Sequence, residues 1–240
     1  MKRIILFLFL YPFAALYAAG TEAQTDTLRL NGETLVLHFY GHSSLGIEYK
    51  GKFIYTDPVS QYAAYDKLAK ADLVLVTHEH YDHLDTTAIR NLTRPATEIV
   101  ANENSRKIIG RGTVLKNGQS APECGILIEA VPAYNTTPGH LQYHPKGRDN
   151  GYVIHFGKVK LYLAGDTEDI PEMQNLKDID IAFLPANQPY TMTPAELRHA
   201  IRMIRPKIAY PYHLGDTDMT LLRAALKDIP GTDVRFRGLQ

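Results

Sequence analysis

The amino-acid sequence predicts an α/β fold in one domain, with helices packed outside two β-sheets. The first observation is a run of short apolar strands from Thr34 onward, punctuated by Gly, Pro, Asn and Asp, giving way to interleaved helices in the last third. The second is continuity: between Thr34 and Gln240 there is no repeat, low-complexity segment or Pro/Ser-rich linker to divide the chain. With 240 residues, 45% of them hydrophobic and 22% charged, a sizeable core can close. The order of elements leaves open whether the two sheets form a sandwich.

Taken in order, the chain begins with a segment to be set aside. Lys2-Arg3 precede the apolar run 4–10, then Tyr11-Pro12-Phe13 and the small residues Ala14, Ala15, Ala18, Ala19 and Gly20. That is the layout of a secretory signal, expected over residues 1–20 with the mature chain starting near Thr21. The run is shorter than the roughly 20 apolar residues of a spanning helix and is broken by Pro12, so the mature chain 21–240 is expected to have no transmembrane span and to be exported, periplasmic or secreted. No cysteine lies nearby to carry a lipoprotein anchor. Strands are expected at residues 35–40, 45–49, 53–56 and 73–76, with a helix-like stretch at 61–70 between the last two. A second helix should follow the histidine cluster described below, capped by Asp85-Thr86-Thr87 with residues 88–92 as its body. Strands are then expected at 126–131, 152–156, 160–164 and 181–184. A helix starting at Thr193-Pro194-Ala195-Glu196 runs to about Ile204, residues 208–210 form a short strand, and 219–227 form the last helix.

Composition narrows the function. Lys plus Arg and Asp plus Glu both total 26, so nothing favours nucleic acid or an anionic membrane as partner. Cys124 is the only cysteine, which excludes an internal disulfide; in Pro122-Glu123-Cys124-Gly125-Ile126 it reads as a small hydrophobe at a strand entry. The 10 histidines are the compositional oddity.

Three of them fall in His78-Glu79-His80-Tyr81-Asp82-His83, directly after the apolar run Leu73-Val74-Leu75-Val76. Two-residue spacing in an extended segment puts His78 and His80 on one face, within reach of one ion. If the chain then turns into a helix, Asp82 and His83 swing toward a second point, which predicts two metal sites side by side. Further metal-competent residues follow strands or sit at Gly/Pro turns: His140 and His144 in the segment 138–147, Asp166 in Ala164-Gly165-Asp166-Thr167, and His213 in Tyr210-Pro211-Tyr212-His213. Asp57, in Tyr55-Thr56-Asp57-Pro58, reads as a residue that orders the metal loop through hydrogen bonds. His42, in Gly41-His42-Ser43-Ser44, is either a group at the mouth of the site or a turn residue. Tyr134, Asn135, Asn187, Tyr190 and Met192 could line a pocket or pack internally. His38, His155 and His199 carry no metal case.

Through His78-x-His80-x-Asp82-His83 followed in order by His144, Asp166 and His213, the chain resembles the metallo-β-lactamase superfamily. Within it, Gly41-His42-Ser43-Ser44, Ala133-Tyr134-Asn135, His144-Pro145-Lys146-Gly147, Gly151-Tyr152-Val153-Ile154 and Ala164-Gly165-Asp166-Thr167 are similar to the bacterial branch near the ascorbate-6-phosphate lactonase-like and N-acylphosphatidylethanolamine phospholipase D-like hydrolases. The resemblance implies a four-layer αββα sandwich with a two-metal site at the edge between the sheets. It implies that His78, His80 and His144 hold the first ion, that Asp82, His83 and His213 hold the second, and that Asp166 bridges them. Choosing His144 over His140 rests on His-Pro-Lys-Gly matching the branch pattern; His140 is then a supporting, substrate-contacting or plain loop residue. Nitrogen and oxygen donors suit Zn²⁺ first, with Mn²⁺ or Fe²⁺ as alternatives.

The expected activity is hydrolysis of an ester, lactone or phosphodiester bond by a hydroxide shared between the two ions, with Asp82 and Asp166 as catalytic carboxylates and a small-molecule or lipid-like substrate. Antibiotic-hydrolysing members of the superfamily usually lack aspartate at the position of Asp166, so the resemblance argues against a β-lactamase. Metal binding should weaken as pH falls through about 6.5, because imidazole ligands must be neutral. The alternative is a non-catalytic metal-binding envelope protein that keeps the fold. Neither reading fixes the oligomeric state.

Overall fold

Two seven-stranded sheets lie face to face, each built in the same sequence of pairings. The computed structural model describes residues 23–239, so the signal segment expected at 1–20 lies outside the described residues. The first sheet takes β1 (Gln24–Leu30), β2 (Glu33–Gly41), β3 (Ser44–Tyr49), β4 (Lys52–Thr56), β5 (Leu73–Val76), β6 (Glu98–Ala101) and β7 (Thr113–Val114) in chain order. The second takes β8 (Ser120–Glu123), β9 (Ile126–Ala133), β10 (Asp149–Phe156), β11 (Val159–Leu163), β12 (Ile181–Pro185), β13 (Ile208–Tyr212) and β14 (Asp233–Val234). In each sheet the first four strands form an antiparallel meander and the remaining pairings are parallel. This architectural duplication has no counterpart as a sequence repeat. Only hydrophobic period and turn placement are needed to repeat a fold.

Strand alternation creates the layers. Leu73 and Leu75 of β5 join Leu35, Leu37, Ile154 and Phe183 in the core between the sheets. Their neighbours Val74 and Val76 face outward, into a second cluster with Ile89 and Leu92. The helices are α1 (Thr86–Leu92), α2 (Glu103–Ile109), α3 (Pro194–Ile204) and α4 (Met219–Ala225). On the far side, Leu197 and Ile201 of α3 and Leu222 of α4 pack with Ala182 and Leu184 of β12. Each such buried aliphatic side chain contributes roughly 1.5–3 kcal/mol. The order is therefore helix, sheet, sheet, helix.

The caps explain the helix starts. Asp85 accepts the amides of Thr87 and Ala88, and Thr193 with Glu196 forms a reciprocal capping box. Residues 61–70 do not form the expected helix; only a 3₁₀ turn, Tyr65–Lys67, is present. Tyr65 is the one side chain of that turn drawn into the outer cluster, packed against Tyr40 and Tyr55, so no helical stripe exists to bury. Six elements have no counterpart in the expectations: the strands β1, which is mostly polar, β6, β7, β8 and β14, and the helix α2, which buries little besides Ser105. Cys124 sits in the β8–β9 hairpin turn, its thiol donating to the Asp72 carbonyl, and burial first of all pushes its pKa up to about 12. Among the described residues no helix is long and apolar enough to cross a membrane.

Candidate metal centre

The parallel strands of both sheets end at one edge, and the predicted donor residues lie in the loops leaving those ends. His78 follows β5, Asp166 follows β11 and His213 follows β13. Two backbone bonds join the sheets at this edge: the His213 amide donates to His42 O (3.1 Å) and the Asn150 amide to Thr77 O (3.1 Å). Three non-glycine residues here, His42, Asp57 and His213, hold left-handed backbone angles (φ 52°, 42° and 49°). Such conformations are strained and persist when surrounding structure imposes them. Gly165 (φ +67°) is required for a further reason: a Cβ there would lie 2.7 Å from Asn150 O.

The donor atoms fall into two groups that overlap in a third, where His78 of one and His83 of the other meet Asp166. His78, His80 and His144 bring ring nitrogens within 4.8 Å of one another, and Asp82, His83 and His213 do the same together with His42. His78 Nε2 and His80 Nδ1 are 3.0 Å apart. Oδ2 of Asp166 lies 3.4 Å from His144 Nε2 and 3.1 Å from His213 Nε2, while Oδ1 lies 3.3 Å from His83 Nε2. Asp82 Oδ2 lies 3.4 Å from His213 Nε2 and 3.2 Å from His42 Nε2. A tight turn, with the His83 and Leu84 amides donating to His80 O, swings Asp82 and His83 toward the second group. The expected helix is not responsible for that swing, because α1 is capped later by Asp85.

Several of these atoms stand as close ion pairs without well-aligned hydrogen bonds, an arrangement that suits a metal ion between them. His83 Nε2, Asp166 Oδ1 and both ring nitrogens of His213 are buried without a hydrogen-bond partner among the described residues. Leaving such groups unmatched costs about 1–3 kcal/mol each, a cost that divalent cations would remove. Electrostatics agree. Burial holds His78 and His80 well toward the neutral form that can ligate. Burial also opposes charge on His83 and His213, yet Asp166 outweighs it, helped by Asp57 and Asp82 respectively, and raises His83 well above the ordinary value and His213 to about 9. Asp166 is buried too, but His213 and His83 hold it well below the usual carboxylate range. The same negative field would retain a cation.

The outer nitrogens are oriented by residues behind them. Asp57 Oδ2 accepts from His83 Nδ1 at 2.8 Å while the Asp57 carboxylate also takes the Thr77 amide and hydroxyl (2.8 and 2.7 Å). Asp149 Oδ2 stands 3.0 Å from His144 Nδ1 and is itself gripped by Arg148. Such partners fix the ring and the tautomer that presents the other nitrogen. Asp57 thus occupies the ordering position read from the sequence. Thr77, Arg148 and Asp149 were not singled out there. Asp149 opens β10 five residues after His144, and only the fold buries it against that ring, so no local spelling marks it. His140 is not brought to either group; its Nδ1 lies 3.3 Å from Glu168, whose carboxylate also holds the amides of Thr136 and Thr137. Of the loop residues considered for a pocket, Asn187 and Tyr190 line the cleft over the centre, whereas Tyr134 and Met192 pack in the core beneath α3 and Asn135 is buried, donating to Tyr190 O.

The family profile described as "Beta-lactamase superfamily domain" matches residues 36–213, the span that carries every one of these donors. The chain belongs to the β-lactamase superfamily. Among curated relatives, the UPF0173 metal-dependent hydrolase TK0141 of Thermococcus kodakarensis is 32% identical over 73% of this chain and 82% of its own. A crystal structure from Parabacteroides distasonis, assigned as a metal-dependent hydrolase, is 55% identical with a TM-score of 0.88, covering 91% of this chain and all of that one. Igni18, a metallo hydrolase of Ignicoccus hospitalis, shares the fold with a TM-score of 0.70 at 23% identity, covering 85% and 95% of the two chains. This member of the superfamily is a metal-dependent hydrolase, and its αββα sandwich is the superfamily's fold.

Proposed function

We propose that the chain is an exported hydrolase with a centre for two divalent ions, zinc first, cleaving an ester, lactone or phosphodiester bond of a small molecule with water. The observation that carries this reading is the position of Asp166, whose one carboxylate reaches His144 on one side and His83 and His213 on the other. His78, His80 and His144 would hold one ion, Asp82, His83 and His213 the other, and Asp166 both. Two such ions would supply Lewis acidity and lower the proton affinity of water to near neutral pH. The protein's own groups do the rest. Asp166, with a side chain 3% exposed, and Asp82, 23% exposed, both line the cleft; burial opposes charge on Asp82, but His213 and His42 outweigh it and hold the carboxylate well below the usual range, as an anion suited to ligate an ion and not to carry a proton. His42 Nε2, 3.2 Å from Asp82, orients that carboxylate. A larger groove of about 830 Å³ lies at the opposite strand ends, among Lys158, Lys160 and Lys207, and gathers no comparable donor set.

The test is elemental analysis of protein purified without chelator or histidine tag, together with turnover on an ester, lactone, thioester and phosphodiester panel. Two ions per chain and activity lost in both Asp82→Ala and Asp166→Ala are expected. One ion or fewer, with no turnover, would favour the non-catalytic reading. Export is tested separately, by fractionating cells that express the full chain and reading the N-terminal residue of the mature protein.

A further inference from the structure

Resting on the hydrolase reading above, we infer that the substrate is an uncharged carboxylic ester or lactone bearing an aromatic or similarly flat apolar group, and not a phosphodiester. The cleft over the centre measures about 610 Å³, within the range of small-molecule sites. Its wall carries four tyrosines, Tyr62, Tyr81, Tyr143 and Tyr190. Tyr81 is 87% exposed and Tyr190 43% exposed, so both rings stand in water beside the candidate reacting centre. Aromatic rings are costly to leave in water, and in a cleft they offer flat surfaces to a ligand. Tyr143 and Tyr190 meet edge to face at 4.9 Å, and Tyr62 stacks on His42 at 5.6 Å.

Charge supplies the second argument. Among the described residues no lysine or arginine lines this cleft, while Glu79 does. Arg148 stands next to the lining, 3.5 Å from Glu79 and 3.4 Å from His80, with its guanidinium bonded to Asp149, and Lys146 is held by Glu172 at 2.9 Å and Tyr134 at 3.0 Å. A phosphodiester keeps a negative charge throughout cleavage, and sites built for it bring guanidinium or ammonium groups to its free oxygens. Here, beyond the ions themselves, it would meet the carboxylates of Glu79, Asp82 and Asp166 and, among the described lining residues, no guanidinium or ammonium group. An ester is neutral until attacked. A bond forms from the water oxygen to the acyl carbon, the carbon–oxygen bond to the alcohol breaks, one water proton goes to the leaving alkoxide, and the acid formed releases the other.

The deciding experiment uses the full mature chain loaded with zinc. Phenyl acetate and the aryl lactone dihydrocoumarin are compared with bis(p-nitrophenyl) phosphate, counting only turnover that Asp166→Ala abolishes. The esters should win by more than about tenfold in kcat/KM. Tyr190→Ala, and separately the exposed Tyr81→Ala, should raise KM for phenyl acetate by about three- to tenfold while kcat stays near that of the parent. Preference for the diester, or unchanged KM in both tyrosine variants, overturns the inference and leaves the hydrolase reading standing. Absence of any Asp166-dependent turnover overturns both.

Discussion

Oδ2 of Asp57 lies 2.8 Å from Nδ1 of His83, and both side chains are wholly withdrawn from solvent. The pair joins the end of β4 to the turn after β5, so the strand order of the first sheet aims a ring nitrogen into the centre. Asp57→Asn keeps the shape but cannot accept from His83 and Thr77 together. Metal affinity should fall about 10- to 100-fold, measured by competition with a chromogenic chelator. Unchanged affinity would mean that His83 is oriented by other contacts.

Removing single donors should separate the two groups. His80→Ala is expected to retain one ion of the two, because Asp82, His83, His213 and Asp166 remain together. Asp166→Ala removes a contact from both groups and should weaken both ions. Elemental analysis after equal dialysis reads the difference; full retention in Asp166→Ala would contradict a shared carboxylate.

Chelation should lower the melting temperature of the parent, because ions that bind only the folded state stabilise it by mass action. Calorimetry with and without chelator, followed by zinc addition, tests this. Recovery on addition is expected, and a melting temperature indifferent to chelator would argue that the buried unpaired atoms of His83, His213 and Asp166 have no ion to meet.

Gly165→Ala should cost roughly 1–3 kcal/mol through its positive φ alone. The added Cβ would also press on Asn150 O, at 2.7 Å, and displace the neighbouring Asp166. Both lower stability and lower metal content are expected, measured by denaturant unfolding and elemental analysis. A stable variant with full metal content would show that the loop can rearrange freely.

Far from the centre, Arg237 donates to Asp26 on β1 through Nη2 (2.7 Å to Oδ2 and 2.8 Å to Oδ1) and Nε (3.0 Å to Oδ1), joining the first strand to residues after β14. Burial raises its pKa, but the Tyr210 and Arg237 bonds outweigh that and leave it below the ordinary 3.8. A depressed folded-state value means the clamp's stability is fully present above the unfolded-state pKa. It is lost as pH falls through the folded value. Asp26→Asn should therefore cost about 1–3 kcal/mol at neutral pH and little in strong acid. Urea unfolding followed from pH 7 down to about pH 2 checks this; a loss that stays equal across the whole series would place the effect in packing instead of charge.

Much of the centre was legible because its spelling is local. His78, His80, Asp82 and His83 lie within six residues after an apolar strand, which marks them as donors, while the tight turn at His80 swings the last two away. The supporting acids were harder to read. Asp57 could be read as an ordering residue from its strand-end place, but its partner could not, and Asp149 looks like an ordinary strand-edge carboxylate until the fold places the two against His83 and His144. The helix expected at 61–70 failed because propensity favours it locally, whereas the tertiary need was to bury one tyrosine. The duplicated sheets could not be read as a repeat because strand pairing depends on alternation and not on residue identity.

By itself, then, the sequence determined the chemistry of the donors, the α/β class and the strand and helix signals that a layered core requires. Only the tertiary structure decided which donors meet. Side chains as distant in sequence as His42, His144, Asp166 and His213 are brought within contact because parallel strands of two sheets end at one edge, and backbone bonds from His213 to His42 and from Asn150 to Thr77 lock the sheets together there. Contact between residues so far apart depends on how strand ends are registered across the sandwich, a property of packing that no local spacing encodes.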